Sequence, residues 1–467
     1  MTTIANPSSN AGAGAGTGAW KKMRTGFITA VIGSCILLQV LFLGNMCYLY
    51  ATQFKESTRV HDMKILFVDY DGGIVGQAVT RAYQSVKGNN FPTLDVKPAG
   101  QYSTSEDIRG AVCSGDYWGA IYAAPNASTS LDATLTNGTT PSNSSLTYIW
   151  NGARYPAFSQ SNIYSSILTL VQATRSAYYA SSAARVLSSA NLSNPVALQT
   201  FLDPIQASEI NIKTTSQGTR VLYNTVSMVM PIIQQFFFMM ALNGVSSEYH
   251  IFKKLGFVAN GLIRMVASII YTFVGSVCMA GYIWAFKESW DLNSKQFVLT
   301  WMIIWLYMHI NFLTVDVLTA FVPMQFLPFC ILTWVIVSVA STISPFELNP
   351  GFFRWGYALP AHETYQVLVQ IWSDGCQDQS YRALPIMFSW WIVGVVAVIY
   401  ATYYRRQIAL REQREVELPE GNKSNLNPSS SLSDARAIER QNLIEPLRLE
   451  RSVYGPSYPT PYVHGEA

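Results

Sequence analysis

The sequence predicts an α-helical polytopic membrane protein with six membrane-spanning helices and an extracytoplasmic α/β domain between the first and second spans. Three observations predict this fold class: long apolar runs, basic residues collected at one set of span ends, and glycosylation sequons gathered in one polar interval. Of the 467 residues, 49% are hydrophobic and 13% are charged, and this charged share is about half that of a soluble globular protein. The chain is therefore expected in a membrane.

The first apolar run covers residues 26–50 and follows Lys21, Lys22 and Arg24. It is longer than the core of a signal peptide, so we expect it to remain as a transmembrane anchor. Residues 1–25 include a low-complexity Ala/Gly tract and are predicted to be a disordered cytosolic segment. The net charge of +3 is too small to indicate nucleic-acid binding.

Residues 221–404 are predicted to form a five-span bundle, because each of five further apolar runs can cross about 30 Å of hydrocarbon at about 1.5 Å per residue. These runs are residues 221–242, 257–286, 297–321, 322–343 and 385–404. Residues 405–467 are polar and rich in Ser, Asn, Pro and Glu, so we expect a disordered cytosolic tail.

Two signals predict the orientation of the bundle. Basic residues near span ends favour the cytosolic side, and they collect at the ends that a cytosolic N-terminus would place inside. The polar interval of residues 51–220 contains four Asn-X-Ser/Thr sequons, which are acceptors only outside the cytosol. We therefore predict a glycosylatable extracytoplasmic domain with carbohydrate at Asn126, Asn137, Asn143 and Asn191.

Alternating strand and helix patterns predict an α/β fold for this domain. The apolar strand of residues 64–69 ends in Asp-Tyr-Asp-Gly-Gly, and Ser103 and Glu106 have the spacing of a helix capping box. Residues 126–145 are predicted to be a solvated loop. Asp69 and Asp71 have the oxygen ligands that a divalent cation prefers, but the sequence is equally typical of a turn, and we predict the turn and no metal.

Three ionisable residues fall inside predicted spans: Arg264, His309 and Asp316. Such groups usually face the interior of a bundle or an aqueous path. His309 and Asp316 are seven residues apart, so they share nearly one helix face. One interpretation is a polar path or proton site that contains all three residues. The alternative, which we favour, is a structural ion pair between Arg264 and Asp316 with His309 hydrogen-bonded to a neighbour.

Residues 344–384 are rich in aromatic residues and proline and are predicted to be an outer segment that is either re-entrant or interfacial. Cys113 and Cys376 are the two cysteines predicted on the outer side, where an oxidising compartment permits a disulfide between them. The sequence contains no G-x-S-x-G, H-E-x-x-H or CxxC motif. We therefore expect neither catalysis nor a bound cofactor.

Three short segments resemble known families. Residues 67–73 (FVDYDGG) and 111–121 (AVCSGDYWGAI) resemble the outer domain of the bacterial phage-infection-protein group, and residues 349–362 (NPGFFRWGYALPAH) resemble the fungal nitrosoguanidine-resistance family. The order of one anchor, one large outer domain and five clustered spans is similar to that of membrane proteins related to type-2 ABC exporter permeases. The resemblance implies a fungal protein linked to drug and mutagen resistance.

These observations predict a permease-like protein that moves or organises amphipathic molecules or lipids. The chain has no Gly-x-x-x-x-Gly-Lys-Ser/Thr motif, so ATP-driven transport would require a separate ATPase subunit. Membrane lipids and a second copy of the chain are the other candidate partners. The alternative function is a non-transporting scaffold or regulator that presents its glycosylated domain to a partner. A multi-pass position in the secretory pathway is expected, with the plasma membrane favoured as the destination.

Overall fold

The computed structural model describes residues 13–140 and 144–417, and side chains within residues 24–140 and 144–411. The helices are α1 (Ala13–Thr52), α2 (Ile74–Val86), α3 (Ser105–Ser114), α4 (Ala127–Asn137), α5 (Pro156–Phe158), α6 (Ser165–Ser189), α7 (Pro195–Leu202), α8 (Val226–Glu248), α9 (Ile251–Lys254), α10 (Phe257–Ala285), α11 (Ser294–Phe321), α12 (Leu327–Ala340), α13 (Pro360–Trp372) and α14 (Ser380–Glu417). The strands are β1 (Lys64–Asp69), β2 (Thr93–Lys97), β3 (Gly119–Ala123), β4 (Leu146–Trp150) and β5 (Ala207–Asn211).

The five strands form one sheet in the order β2-β1-β3-β4-β5, in which only β3 and β4 are antiparallel. The inner strand β1, between β2 and β3, is apolar on both faces, as expected for a strand covered on both sides by helices. Ile65 and Phe67 pack with α2 and α6, whereas Leu66 and Val68 pack with α3. The sheet with its helices, residues 64–211, is the α/β domain that the alternating sequence pattern predicts.

Local signals explain several helix ends. The capping box of α3 uses Thr104 and Asp107, one residue later than the predicted pair: the Thr104 hydroxyl accepts from the Asp107 amide (3.2 Å), and the Asp107 carboxylate accepts from the Thr104 amide (2.9 Å). Gly115 ends the helix with a φ of 91°, a conformation that favours glycine.

The predicted loop at residues 126–145 is wrong in part, because residues 127–137 form α4. Leu131 and Leu135 are four residues apart and both are buried, so the segment has an apolar helical face. Most of its Ser, Thr and Asn residues lie off this face, whereas Thr134 is buried on it and donates its hydroxyl to the Ser130 carbonyl at 2.9 Å. The polar composition of residues 126–145 is typical of a loop, whereas the spacing of the two leucines indicates the helix.

Five helices among the described residues are long and apolar enough to cross a membrane: Arg24–Thr52 within α1, α8, α10, α11, and Ser380–Arg411 within α14. The predicted span of residues 322–343 contains a shorter apolar helical segment, Met324–Ala340, so a sixth crossing stays a prediction. Its helix α12 has 14 residues, and about 1.5 Å per residue gives it only about 21 Å. Ser341, Ser344 and Pro345 follow, and the chain then turns back.

The segment of residues 344–384 turns back into the bundle. It contains a 3₁₀ helix at Gly351–Ala358 and then α13, which packs against α11, α12 and α14. Residues 360–369 are all buried. Tyr365 of α13 also contacts Tyr155 of the α/β domain, so α13 lies where the bundle meets that domain. The re-entrant and the interfacial forms of this segment both stay predictions.

The first helix also extends further towards the N-terminus than predicted. Residues 1–25 are predicted to be disordered, but α1 begins at Ala13. Gly14, Gly16 and Gly18 each cost the helix about 1 kcal/mol relative to alanine, so these residues are helical as an extension of the apolar run that follows them. The predicted disorder of residues 405–467 is wrong for residues 405–417, which continue α14, and residues 1–12 and 418–467 lie outside the described residues.

Candidate functional site

A row of five buried polar residues runs along α10. They follow one another at intervals of four residues, so they lie on one helix face, and each is at most 2% exposed: Asn260, Arg264, Ser268, Thr272 and Ser276. We call this set the α10 polar row. It faces α11 and α14. A continuous polar face on a buried apolar helix is a feature of packing interfaces and of polar paths.

A charged cluster lies at the end of this row that is remote from the α/β domain. Asp316 on α11 is completely buried, and its Oδ1 accepts from Arg264 Nη2 at 2.5 Å and contacts Arg405 Nη2 at 2.7 Å. Arg405 on α14 also donates to the Asp316 carbonyl and to Thr319 Oγ1. One carboxylate therefore joins three helices through two arginines.

The charges of this cluster do not cancel, because two guanidinium groups surround one carboxylate. Several of its buried polar atoms also have no hydrogen-bond partner among the described residues: Arg264 Nε and Nη1, Arg405 Nη1, Asp316 Oδ2 and both amide atoms of Asn260. Buried polar groups without partners are rare and costly. The cluster has the charge and the free donors to hold one more anionic group.

His309 lies on the same face of α11 as Asp316, but its hydrogen bonds are separate from the charged cluster. Trp391 Nε1 donates to His309 Nδ1 at 2.8 Å, and His309 Nε2 is 3.2 Å from Ser268 Oγ. Because the indole N–H can only donate, Nδ1 is the acceptor and Nε2 carries the proton of a neutral ring. The structure thus joins His309 to the middle of the α10 polar row.

The row continues towards the α/β domain through Thr272, whose Oγ1 accepts from Trp305 Nε1 at 3.2 Å. Ser276 ends it by donating to the carbonyl of Phe273. On the neighbouring helix α8, Gln235 is completely buried, and neither of its side-chain polar atoms has a hydrogen-bond partner within the described part of the chain. Met239, one turn later on α8, contacts Arg264 Nη2 through its sulfur at 3.1 Å.

The opposite end of the bundle is fixed to the α/β domain. Cys113 at the end of α3 forms a disulfide with Cys376, which follows α13. The Gln377 amide donates to the Cys113 carbonyl, and Lys213 Nζ is 3.1 Å from Asp374. The core of the domain is continuous with the bundle through the ring contact of Tyr155 with Tyr365, 4.9 Å between centroids.

A second buried carboxylate lies at this junction. Glu363 near the start of α13 is completely buried, and its partner is Arg382, at 3.4 Å. Burial raises the pKa of Glu363 to about 7 although Arg382 opposes that shift. The group therefore exchanges a proton near neutral pH.

Three of the four sequon asparagines can be placed. Asn126 precedes α4, Asn137 ends it and Asn191 follows α6, and all three are exposed. Asn143 lies outside the described residues.

Asp69 and Asp71 accept hydrogen bonds from backbone amides. Asp69 Oδ1 accepts from the amides of residues 71 and 72 at 2.9 Å, and Asp71 Oδ1 accepts from the amide of Ser128 near the start of α4 at 2.8 Å.

Arg405, Glu363 and the α10 polar row are candidates that the sequence patterns did not indicate. Arg405 follows the apolar run of residues 385–404, a position typical of a flanking charge, but its side chain reaches back to Asp316. Glu363 lies in the segment of residues 344–384, for which the sequence predicts a re-entrant or interfacial position and no buried carboxylate. The row had a readable signal, namely polar residues every fourth position in an apolar helix.

Comparison with known proteins places this geometry in a family without an assigned activity. A model of the family described as "Protein of unknown function (DUF3533)" matches residues 34–396. The chain is 29% identical over 136 residues to the uncharacterized endoplasmic reticulum membrane protein YJR015W of Saccharomyces cerevisiae, a match that covers 28% of this chain and 26% of that protein. The chain thus spans about a quarter of the length of that relative. No solved structure matches the chain.

Proposed function

The chain belongs to the family described as "Protein of unknown function (DUF3533)", and we propose that this multi-pass membrane protein is permease-like and moves or organises amphipathic molecules or lipids. The observation that carries the proposal is the α10 polar row. It spans the interior of the bundle from Asn260 to Ser276, a rise of about 24 Å over 16 residues. Polar groups are costly at that depth unless they serve packing or a polar solute.

The partners of the row support a path better than packing alone. Small hydroxyl residues suffice to bring helices together, but this row also contains an arginine, a neighbouring histidine and an unpartnered buried amide at Gln235. In the proposed mechanism, a polar headgroup moves along these side chains while its apolar part stays in the lipid. His309 and Ser268 exchange hydrogen bonds with it in the middle of the bundle.

The location and partners of the protein are also proposals. The yeast relative is named as an endoplasmic reticulum membrane protein, so we infer a membrane of the secretory pathway and keep the plasma membrane as one destination within it. A role in resistance to toxic compounds, a separate ATPase subunit and a homodimer follow from the family resemblances and need their own tests.

The experiment is a flux assay with the purified full-length protein in lipid vesicles. The variant Thr272→Val removes one hydroxyl of the row and nearly keeps the side-chain shape. It also removes the acceptor of the Trp305 hydrogen bond, so the yield of folded protein is compared with that of the wild type. We expect the rate of movement of a fluorescent headgroup-labelled lipid to fall by about tenfold, since one hydrogen bond of about 1.4 kcal/mol is lost along the path. Thr29→Val is the matched control, because the exposed Thr29 hydroxyl bonds only to its own helix.

Two results would contradict the proposal. Vesicles containing the wild-type protein could show the same movement as protein-free vesicles, with and without ATP and candidate ATPases. Alternatively, Thr272→Val and Thr29→Val could give equal rates above that background. The first result would favour the scaffold function, in which the bundle only holds the α/β domain at the membrane.

A further inference from the structure

The charged cluster of Arg264, Asp316 and Arg405 has one positive charge in excess, and this excess is buried. The exposed fractions of the three side chains are 2%, 0% and 10%. Such a charge is expensive in a low-dielectric bundle unless a counter-ion joins it. Among the described residues, Asp316 is the acidic side chain that contacts either arginine.

We propose that this cluster binds the phosphodiester of an anionic phospholipid headgroup. A phosphodiester has one negative charge, which equals the excess of the cluster. Arg264 offers Nε and Nη1, which have no other partner, and Arg405 offers Nη1. Each of the two guanidinium groups can thus donate at least one charge-assisted hydrogen bond to a phosphate oxygen while its Nη2 stays on Asp316.

The surroundings favour a lipid as the source of the phosphate. The cluster lies towards the end of the bundle that is remote from the α/β domain. At that end, Lys253 and Lys254 lie in the short helix α9, which connects α8 to α10. Basic pockets between helices near a membrane surface attract anionic headgroups. On the outside of α10, Val258 and Leu262 are 75% and 62% exposed, and they offer an apolar surface for acyl chains beside the charged cluster.

This inference deepens the proposed function, since it names the ligand class at one end of the α10 polar row. Binding is measured separately from movement, so the two can fail independently. Lipid binding without flux would refute only the transport proposal. Flux without selective lipid binding would refute only this inference.

The test uses the purified, delipidated full-length protein in neutral detergent, titrated with phosphatidylglycerol, phosphatidylcholine and inorganic phosphate. Bound lipid is counted by native mass spectrometry. We expect phosphatidylglycerol to bind about tenfold more tightly than phosphatidylcholine, whose choline cation would approach the arginines. Arg264→Gln should lose about tenfold in affinity for phosphatidylglycerol, which is about 1.4 kcal/mol, because its charged hydrogen bonds to the phosphate disappear.

The matched control is Arg406→Gln, which removes the same charge from the next residue of α14. Arg406 makes none of the contacts of the cluster, so this variant should keep the preference for phosphatidylglycerol over phosphatidylcholine. If Arg264→Gln does not fold, two other variants serve. Arg264→Lys keeps the positive charge but removes the guanidinium donors, and Arg405→Gln removes the guanidinium of the more exposed arginine. Both should weaken the preference.

Three outcomes would overturn the inference. The wild type could bind the two lipids equally, which would leave a purely structural ion cluster. The preference could survive in Arg264→Gln and Arg405→Gln, which would place the lipid elsewhere. Inorganic phosphate could displace the signal at equal concentration while phosphatidylglycerol shows no advantage over it, which would assign the cluster to free phosphate and not to a lipid.

Discussion

Replacement of Asp316 by Asn tests the arrangement of the charged cluster most directly. The substitution keeps the shape of the side chain but removes the one carboxylate between two buried arginines. The cluster then changes from one excess positive charge to two. Breaking a buried ion pair in this way costs about 3–5 kcal/mol, mainly because the remaining charge has no counter-ion.

Arg264→Gln supplies the comparison, since it leaves Asp316 paired with Arg405 and removes the excess charge. It loses one charge-assisted hydrogen bond, about 1.5–3 kcal/mol, but it also removes the cost of burying one ion, which is several kcal/mol. We therefore expect Asp316→Asn to be less stable than Arg264→Gln by at least about 2 kcal/mol. A cluster with balanced charge would give the two variants similar losses.

The measurement is the fraction of monodisperse, delipidated full-length protein in neutral detergent after heating, taken as a half-life because membrane proteins often unfold irreversibly. Asp291→Asn is the control, since Asp291 is exposed between α10 and α11. The reasoning is refuted if Asp316→Asn has the half-life of the wild type, or if Arg264→Gln is the less stable variant.

Exchange of the two charges adds a second constraint. Arg264→Asp together with Asp316→Arg keeps the net charge, but it places a guanidinium at position 316 beside Arg405. We expect the exchange to recover part of the stability lost in Asp316→Asn and not all of it. Full recovery would show that Arg405 is not part of the cluster.

Two further predictions concern the α/β domain and its junction with the bundle. Glycosidase treatment of the protein made in a eukaryotic host should increase its gel mobility. Removal of the four sequons should abolish this change: Asn126, Asn137, Asn143 and Asn191. A mobility change that depends on Asn422 would contradict the predicted orientation. The pKa of Glu363 is about 7 in the folded protein and ordinarily 4.5, so between these pH values the folded state binds one proton more than the unfolded state. The free energy of unfolding should therefore fall by about 3 kcal/mol as the pH rises through this range and stay level above it. Melting curves recorded from pH 4 to 8 should show this dependence on pH, and the variant Glu363→Gln should abolish it. Glu106→Gln, at an exposed position, is the control and should keep it. An unchanged dependence in Glu363→Gln would contradict the assignment.

The sequence predicted the α/β domain well because its strands are short apolar runs between turn signals. β1, β3 and β4 lie where those runs lie, and the Asp69 turn forms its own hydrogen bonds. Hydropathy was less informative at the end of the bundle. It counts apolar residues, so residues 322–343 have the pattern of a full span although the apolar helical segment there is Met324–Ala340. The aromatic and prolyl composition of residues 344–384 did not indicate that His362 and Glu363 would be buried.

Charge patterns had a similar limit. Arg405 follows an apolar run, and a rule based on flanking charges assigns such a residue to the aqueous side. A long side chain can point in either direction along its helix, and this one points to Asp316, 89 positions earlier in the chain. Only the packing of α11 against α14 decides that direction.

The disulfide between Cys113 and Cys376 has a consequence for biosynthesis. The two cysteines are 263 positions apart, and the segments α8, α10, α11 and α12 are synthesised between them. The bond can therefore form only after those helices have been inserted and the segment after α13 has reached the same compartment as α3. A nascent chain with a misinserted helix would keep Cys113 as a free thiol, and thiol-dependent retention could then separate incomplete molecules from finished ones.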